Sequence, residues 1–451
     1  MTTVLLADRD GRALGPLAEK TVPALLPLRG APILERALEA LVAAGVRSAL
    51  VVVGPRAAEV EKRFGKGIRF GIALEYVRRA EDETTGAVLR RMEHRLDGDT
   101  LVLRGDAAVE GAFGAFTRSV AGRSEPVVAA EAGGKLLGAW RVKPEALKKL
   151  ELPREPADPD WVRDAGHAAL EVDLDVAPLD GVPRWHALDR GDGKPAVSER
   201  ASVSSAAKLS GGTTVAEEAA VLGRAALEGV SVLPRTVVPD GVSLARVVVA
   251  GNLVVDPASG EATCLTDLLP AAGAPRGAGA ASRLAGLVLF LLSLPLWPVA
   301  FVWSFVANAG HATRPYAFAG NGAGPGSRTE VRTFRFETAI PVFRDLPLLL
   351  ALVSGKLAVS GVAPLGPEEE AAAKEPWMAA RREAPVGLLA RSRMVVPASA
   401  SPEVARVVDA FEARRGCPGL VGLGLSTLFS ARAWTAPRVW NPDEIPGTTA
   451  T

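Results

Sequence analysis

The segment DGRALGPLAEKTVPALLPLRGAPIL, from Asp10 to Leu34, is the first place where residue types and spacing could do chemistry. It follows a short apolar run and has the layout of a loop that grips a nucleoside triphosphate. Glycine in such a loop lets backbone N–H groups approach phosphate, and nearby cations neutralise charge. The residues of the right type are Gly11, Arg12 and Lys20, with Asp8 and Arg9 just before them. An acidic side chain there repels a triphosphate, and most of the cations such a loop needs are missing. A plainer reading leaves Gly11 as a turn glycine and Lys20 as a solvated side chain. Elsewhere His94, His167, His186 and His311 are dispersed, and Cys264 and Cys417 lie far apart. Neither a zinc site nor a disulfide framework is expected.

The elements that would position this loop read as a parallel α/β sheet. After the run VLLA come an amphipathic helix ILERALEALVAAGV, a strand SALVVVG, a helix RAAEVEKRF, the segment GIALEYVRR, a helix TGAVLRRMEHRL and a strand TLVLRGD. Strands alternating with helices at this spacing predict a doubly wound domain over residues 1–192. Beyond it the period changes. Val203, Leu209, Val215, Val221, Leu227 and Leu233 recur at every sixth position, the interval of a hexapeptide parallel β-helix, predicted over 200–258. An Ala/Gly/Pro-rich linker is predicted over 259–282.

No Asp, Glu, Lys or Arg lies between Arg283 and Arg314, so residues 283–313 are predicted as a membrane segment. Pro295 and Pro298 near its middle favour a re-entrant hairpin over a straight span. A second soluble domain is expected over 314–440, and a tail over 441–451. Bulk composition agrees with folded domains: 451 residues, 48% hydrophobic, 52 Lys+Arg against 51 Asp+Glu. The formal charge of +1 gives no field that would select nucleic acid. The N-terminus lacks the pattern of a secretory signal, so both soluble parts are expected on the cytoplasmic side of the inner membrane.

Two resemblances follow from these residues. LLADRDGRALGPLAEKTVPALLPLRGAPILERALEAL resembles the opening of the sugar-1-phosphate nucleotidyltransferases, and TTGAV, LVLRGD and the β-helix resemble later parts of that family. The resemblance implies Gly11, Arg12, Lys20 and Gly86 as nucleotide- or sugar-binding residues and Asp106 as a ligand for Mg²⁺. It also points to RWHALD as a closing strand, with Asp189 as a place to seek a second metal-binding carboxylate. Where the family carries paired glycines, a loop Arg and a Pro-Lys pair, this chain has Asp8-Arg9, Ala13 and Val22-Pro23.

The broken apolar segment, FRF and DLPLLLALVSGKLAVSGVAPLGPEE resemble the bacterial sugar transferases, monotopic phosphoglycosyl transferases with a small α/β domain. That resemblance implies Asp345 as nucleophile, Arg335 and Lys356 as nucleotide-sugar contacts, and Mg²⁺ as cofactor. Arg344-Asp345 replaces the family's Asp-Glu pair and is read alternatively as a helix N-terminal cap. Together the resemblances imply, first, transfer of a phosphosugar from a nucleotide-sugar to polyprenol phosphate. The alternative is a catalytically degenerate scaffold of the same pathway, oligomeric through its β-helix. A sugar-1-phosphate nucleotidyltransferase ranks third.

Overall fold

The computed structural model describes residues 1–147, 168–171, 181–268, 280–396 and 402–414, except 10, 55, 81–82, 107–115, 118, 121–122, 133–134, 309, 323–326, 373–374 and 376–377. His167, Cys417, residues 269–279 of the expected linker and the chain beyond Arg414 lie outside the described residues. The fold divides into two compact units. The first holds Met1–Ser198, Gly211–Ala216 and Val255–Ala262; the second holds Glu199–Ser210, Glu217–Val254 and Thr263–Thr451.

The first unit is built on seven strands: β1 (Thr2–Ala7), β2 (Ser48–Val53), β3 (Ala73–Arg78), β4 (Thr100–Arg104), β5 (Val127–Ala132), β6 (Lys135–Val142) and β7 (Ala168–Glu171). Their order across the sheet is β3-β2-β1-β4-β6-β5-β7. The first four are mutually parallel. Residues of β1 are buried on both faces: Leu5 packs in a cluster with Leu34, Leu38, Leu41 and Val51, whereas Val4 and Leu6 pack with Val88, Leu89, Val102 and Trp140. Burial on both sides explains why this strand is a continuous apolar run instead of an alternation. Leu34, Leu38 and Leu41 share one face of α1 (Ile33–Ala43), and Val88 and Leu89 belong to α3 (Thr85–Arg91); α2 (Ala57–Phe64) lies between them in sequence.

Two expectations need correction here. The sheet is mixed, because β6 runs antiparallel to both β4 and β5. The link from β5 to β6 is only two residues, far too short for a parallel crossover. RWHALD is not a strand; it lies in α4 (Val182–Arg190), which begins after Gly181 with Pro183 in its first turn and ends at Gly191. Proline in a first helical turn loses no hydrogen bond, and it marks a helix start.

In the second unit the β-helix is present. Ser202–Val203, Ala220–Val221 and Val237–Val238 form one three-stranded parallel sheet, and Lys208–Ser210, Ala226–Glu228 and Ser243–Ala245 form another. Val203 pairs with Val221 and Leu209 with Leu227, eighteen residues apart, so six residues serve each face of a three-sided coil. Val221 then pairs with Val238, and Leu227 with Leu244, only seventeen apart. One residue is lost from the repeat, and the strand Ser231–Val232 ends before Leu233. The helix α9 (Pro402–Arg414) covers one side of this coil, with Val404 and Val408 on Ala220, Leu222 and Val237.

The apolar segment is two helices, α5 (Ala280–Ser293) and α6 (Leu296–Ala307), bent by 65° where Pro295 interrupts the run. Among the described residues no single helix is long and apolar enough to cross a membrane. A Cβ on Gly286 would stand 2.7 Å from the side chain of Leu352, so glycine lets α5 lie close against α8 (Leu348–Val353). Between them in sequence are the antiparallel pair β8 (Thr313–Asn321) and β9 (Arg328–Phe336) and the short helix α7 (Pro341–Asp345).

Candidate active site

In a parallel α/β sheet, ligands bind beyond the carboxyl ends of the strands where the order of winding reverses. Here the chain winds outward from β1 to β2 and β3, then returns to place β4 on the other side of β1. The reversal lies between β1 and β4, and Asp8, Arg9 and Asp106 follow the carboxyl ends of these two strands. The loop after β1 starts at Gly11, whose φ of 82° favours glycine, and continues as a 3₁₀ turn over Arg12–Glu19. Buried Leu14 and Leu17 pin it, and the Arg56 guanidinium donates to the Ala18 carbonyl at 2.9 Å. Arg12 and Lys20 are exposed on this turn. Gly86 is buried in the first turn of α3, which Thr84 caps by accepting from the Ala87 N–H.

The centre of the crevice is a buried ion network. Leu6 and Arg104 are register partners on the adjacent strands, which puts Asp8 and Asp106, each two residues further on, level with one another. Arg104 spans them: its Nε donates to Asp106 Oδ1 at 3.0 Å, and its Nη2 donates to Asp8 Oδ1 at 2.9 Å and to Asp106 Oδ2 at 3.3 Å. Arg9 adds a bond to Asp106 Oδ2 at 2.9 Å and one to the Asp106 carbonyl at 2.7 Å. Arg79 lies 3.1 Å from Asp8 Oδ2. None of the five side chains is more than 9% exposed. Burial raises the pKa of Asp106, but the charges of Arg104 and Arg9 and their hydrogen bonds outweigh it and bring it down to about 2.

This arrangement does not fit Mg²⁺ at Asp106. Mg²⁺ demands near-octahedral oxygen ligands and keeps several waters, whereas both carboxylate oxygens here accept from guanidinium groups inside a buried cluster. Among the described residues no three His, Cys, Asp or Glu side chains group as metal ligands. Asp189 is also placed elsewhere than expected. It is buried on α4, accepts from the Arg29 N–H at 2.6 Å and is hydrogen-bonded by Thr214, a link that secures α4 within the first unit. Arg104, which organises the crevice, carried a signal in the sequence: an arginine inside a doubly buried strand must find a carboxylate. Arg79, just beyond the half-exposed edge strand β3, carried no such signal.

In the second unit the structure brings Arg335 and Asp345 together and leaves Lys356 outside. Asp345 ends α7 instead of starting a helix, because Pro341 marks the start and Pro347 opens the next helix. Arg335 Nε lies 3.1 Å from Asp345 Oδ1, while Arg344 and Arg393 donate to Oδ2 at 3.0 and 3.2 Å. Burial raises the pKa of Asp345, and Arg393, Arg335 and Arg344 reverse that and hold it below the usual carboxylate range. The Arg335 guanidinium also stacks 3.5 Å from the Tyr316 ring centre. Lys356, on the turn after Gly355, forms no ion pair among the described residues.

Residues 2–133 match the Nucleotidyl transferase family model. The chain is similar to glucose-1-phosphate thymidylyltransferase of Streptomyces antibioticus, with 28% identity over 26% of this chain and 34% of the relative. It is similar to the protein of the same name from Neisseria gonorrhoeae, with 29% identity over 36% of this chain and 58% of the relative. Mannose-1-phosphate guanylyltransferase of Mycobacterium tuberculosis shares 31% identity over 23% of this chain and 29% of the relative. The chain thus spans less than two thirds of the length of each. These matches overturn the leading expectation from sequence, phosphosugar transfer to polyprenol phosphate, because they point to nucleotide-sugar synthesis, which that ranking put third. The first unit carries a sugar-1-phosphate nucleotidyltransferase-like domain on a mixed α/β sheet.

Proposed function

We propose that the first unit handles nucleoside triphosphates and sugar 1-phosphates, and that its reaction is nucleotide-sugar formation. In that reaction a sugar-phosphate oxygen attacks the α-phosphorus, and the bond to the departing pyrophosphate breaks. The observation that carries this reading is the family match over residues 2–133, whose loop leaves β1 at the winding reversal with Gly11 in a left-handed conformation. Gly11 supports close approach of backbone N–H groups to phosphate. Arg12 and Lys20 stand on the same turn and take the place of the family's missing cations. The test incubates the full chain with dTTP, GTP or UTP and a panel of sugar 1-phosphates, and reads pyrophosphate release and nucleotide-sugar by chromatography. Product is expected with one pairing, and the Arg12→Ala/Lys20→Ala variant should lose roughly 10- to 100-fold in kcat/KM, the worth of one or two charge-assisted bonds. Absence of product with every pairing refutes the reaction.

A second reading concerns location and rests on α5 and α6. Leu284, Leu292, Trp303 and Val306 are each more than half exposed. At 1.5 Å per residue each helix is roughly 20 Å long, short of the ~30 Å hydrocarbon core. Such a bent apolar pair suits insertion into one leaflet. Flotation with liposomes should carry the full chain upward, and Leu292→Glu/Val306→Glu should leave it at the bottom; co-sedimentation of both without lipid would end this reading.

A further inference from the structure

The charges at the winding reversal already satisfy one another. Two carboxylates just beyond the ends of neighbouring parallel strands face the same point, an arrangement that stays fully ionised only with a cation between them. The chain supplies that cation from its own backbone register: Arg104, two residues before Asp106 and paired in register with Leu6, reaches both Asp8 and Asp106. A Cβ on Gly138 would lie 3.0 Å from the Cβ and Cγ of Arg104, so a glycine on the neighbouring strand β6 leaves room for this side chain. Arg9 and Arg79 close the outer sides of the same two carboxylates. Every carboxylate oxygen of Asp8 and Asp106 thus lies within 3.1 Å of a guanidinium nitrogen.

We infer that Arg104 is a built-in replacement for a divalent cation, and that the crevice holds its two carboxylates without a metal ion. The inference rests on the nucleotidyltransferase-like reading only for the choice of crevice; the chemistry is that of the five side chains. A guanidinium offers a planar fork that satisfies two carboxylates at once and cannot be deprotonated, so it holds the network at every physiological pH. It also cannot leave. The crevice should be indifferent to chelators and to divalent ions, and removal of the guanidinium should create the demand for a metal that the native chain lacks.

The test uses Mn²⁺ alone, with the full chain and no nucleotide, so its outcome does not depend on whether the chain makes a nucleotide-sugar. Mn²⁺ binding is read by electron paramagnetic resonance for the wild type and for Asp106→Asn, and melting is followed with and without 5 mM Mn²⁺. The expected result is no Mn²⁺ bound through Asp106 in the wild type and a melting temperature that moves by less than about 1 °C. Arg104→Met, which leaves two carboxylates facing each other, should melt several degrees higher with Mn²⁺ than without it. Wild-type Mn²⁺ binding that disappears in Asp106→Asn overturns the inference, and so does an Arg104→Met variant whose melting ignores Mn²⁺. Should Arg104→Met fail to fold, the wild-type and Asp106→Asn binding comparison decides alone.

Discussion

Asp106 in the first unit and Asp409 in the second are both completely buried beside arginine, yet they titrate in opposite directions. Burial raises both. At Asp106 two guanidinium groups donate directly to the carboxylate and bring its pKa down to about 2. At Asp409 burial prevails and the pKa rises to about 6, although Ser392 and the Ala363 N–H donate to it at 2.5 and 3.0 Å. The nearest guanidinium, Arg381, stands 3.5 Å away and is committed to Glu370 at 2.6 Å and to the Ala363 carbonyl at 2.6 Å. A buried arginine therefore keeps a carboxylate charged when it donates directly to that carboxylate, as Arg104 does even while it also serves Asp8. One that stands beside the carboxylate with its hydrogen bonds given to other acceptors leaves burial in control.

The largest effect should come from Arg104. Arg104→Met leaves Asp8 and Asp106 facing each other, with two hydrogen bonds fewer at Asp106 and one fewer at Asp8, and loss of one partner from a buried ion pair costs about 3–5 kcal/mol. At pH 5 Arg381→Met should cost less, about 1–3 kcal/mol, because Asp409 is then mostly neutral and what is lost is mainly the bonds of Arg381 to Glu370 and the Ala363 carbonyl. Hydrogen exchange of peptides from β1 and β4 against peptides from α9 reads the two units separately. Equal losses would show that the two clusters differ less than their geometry says.

The two units should also respond to acid in opposite senses. Asp106 is depressed, so its contribution is complete above the unfolded value of about 4 and is lost as pH falls from about 4 to about 2. A shift of this size is worth about 2 kcal/mol. Asp409 is raised, so its contribution is complete below about 4 and is lost as pH rises through about 6. Between pH 4 and 6 the second unit should lose stability while Asp106 contributes no slope to the first. Exchange protection of α9 that rises across this interval would contradict the assignment.

How much of this was legible in the sequence depended on the range of the interactions. The first four strands and first three helices of the first unit were readable because each is specified by its own apolar pattern, and the sixfold interval located the β-helix through Leu227. Its lost residue was not, since Leu233 is as aliphatic as Val232 and only the seventeen-residue register separates them. The ion network depends on Leu6 standing opposite Arg104, a pairing nearly a hundred residues apart that no local pattern specifies. The wrong elements read for Asp189 and Asp345 were avoidable. Pro183 and Pro341 each sit in the first turn of a helix, a local start signal that outranked the resemblance.

The smallest expected effect isolates the pKa from the packing. Asparagine has the shape of a protonated aspartate, so Asp409→Asn at pH 5 should change the stability of the second unit by less than about 1 kcal/mol. The side-chain oxygen still accepts from Ser392 or the Ala363 N–H, and the amide cannot ionise. The wild type should fall in stability between pH 4 and 6 and the variant should not, so the two curves part as pH rises and the variant is the more stable above pH 6. Asp106→Asn gives the opposite pattern: it removes a charge that two guanidinium groups require and should destabilise the first unit most at neutral pH. If Asp409→Asn instead destabilises at pH 7 as Asp106→Asn does, Arg381 holds Asp409 as firmly as Arg104 holds Asp106, and the contrast between an arginine that donates to the carboxylate and one that only stands beside it fails.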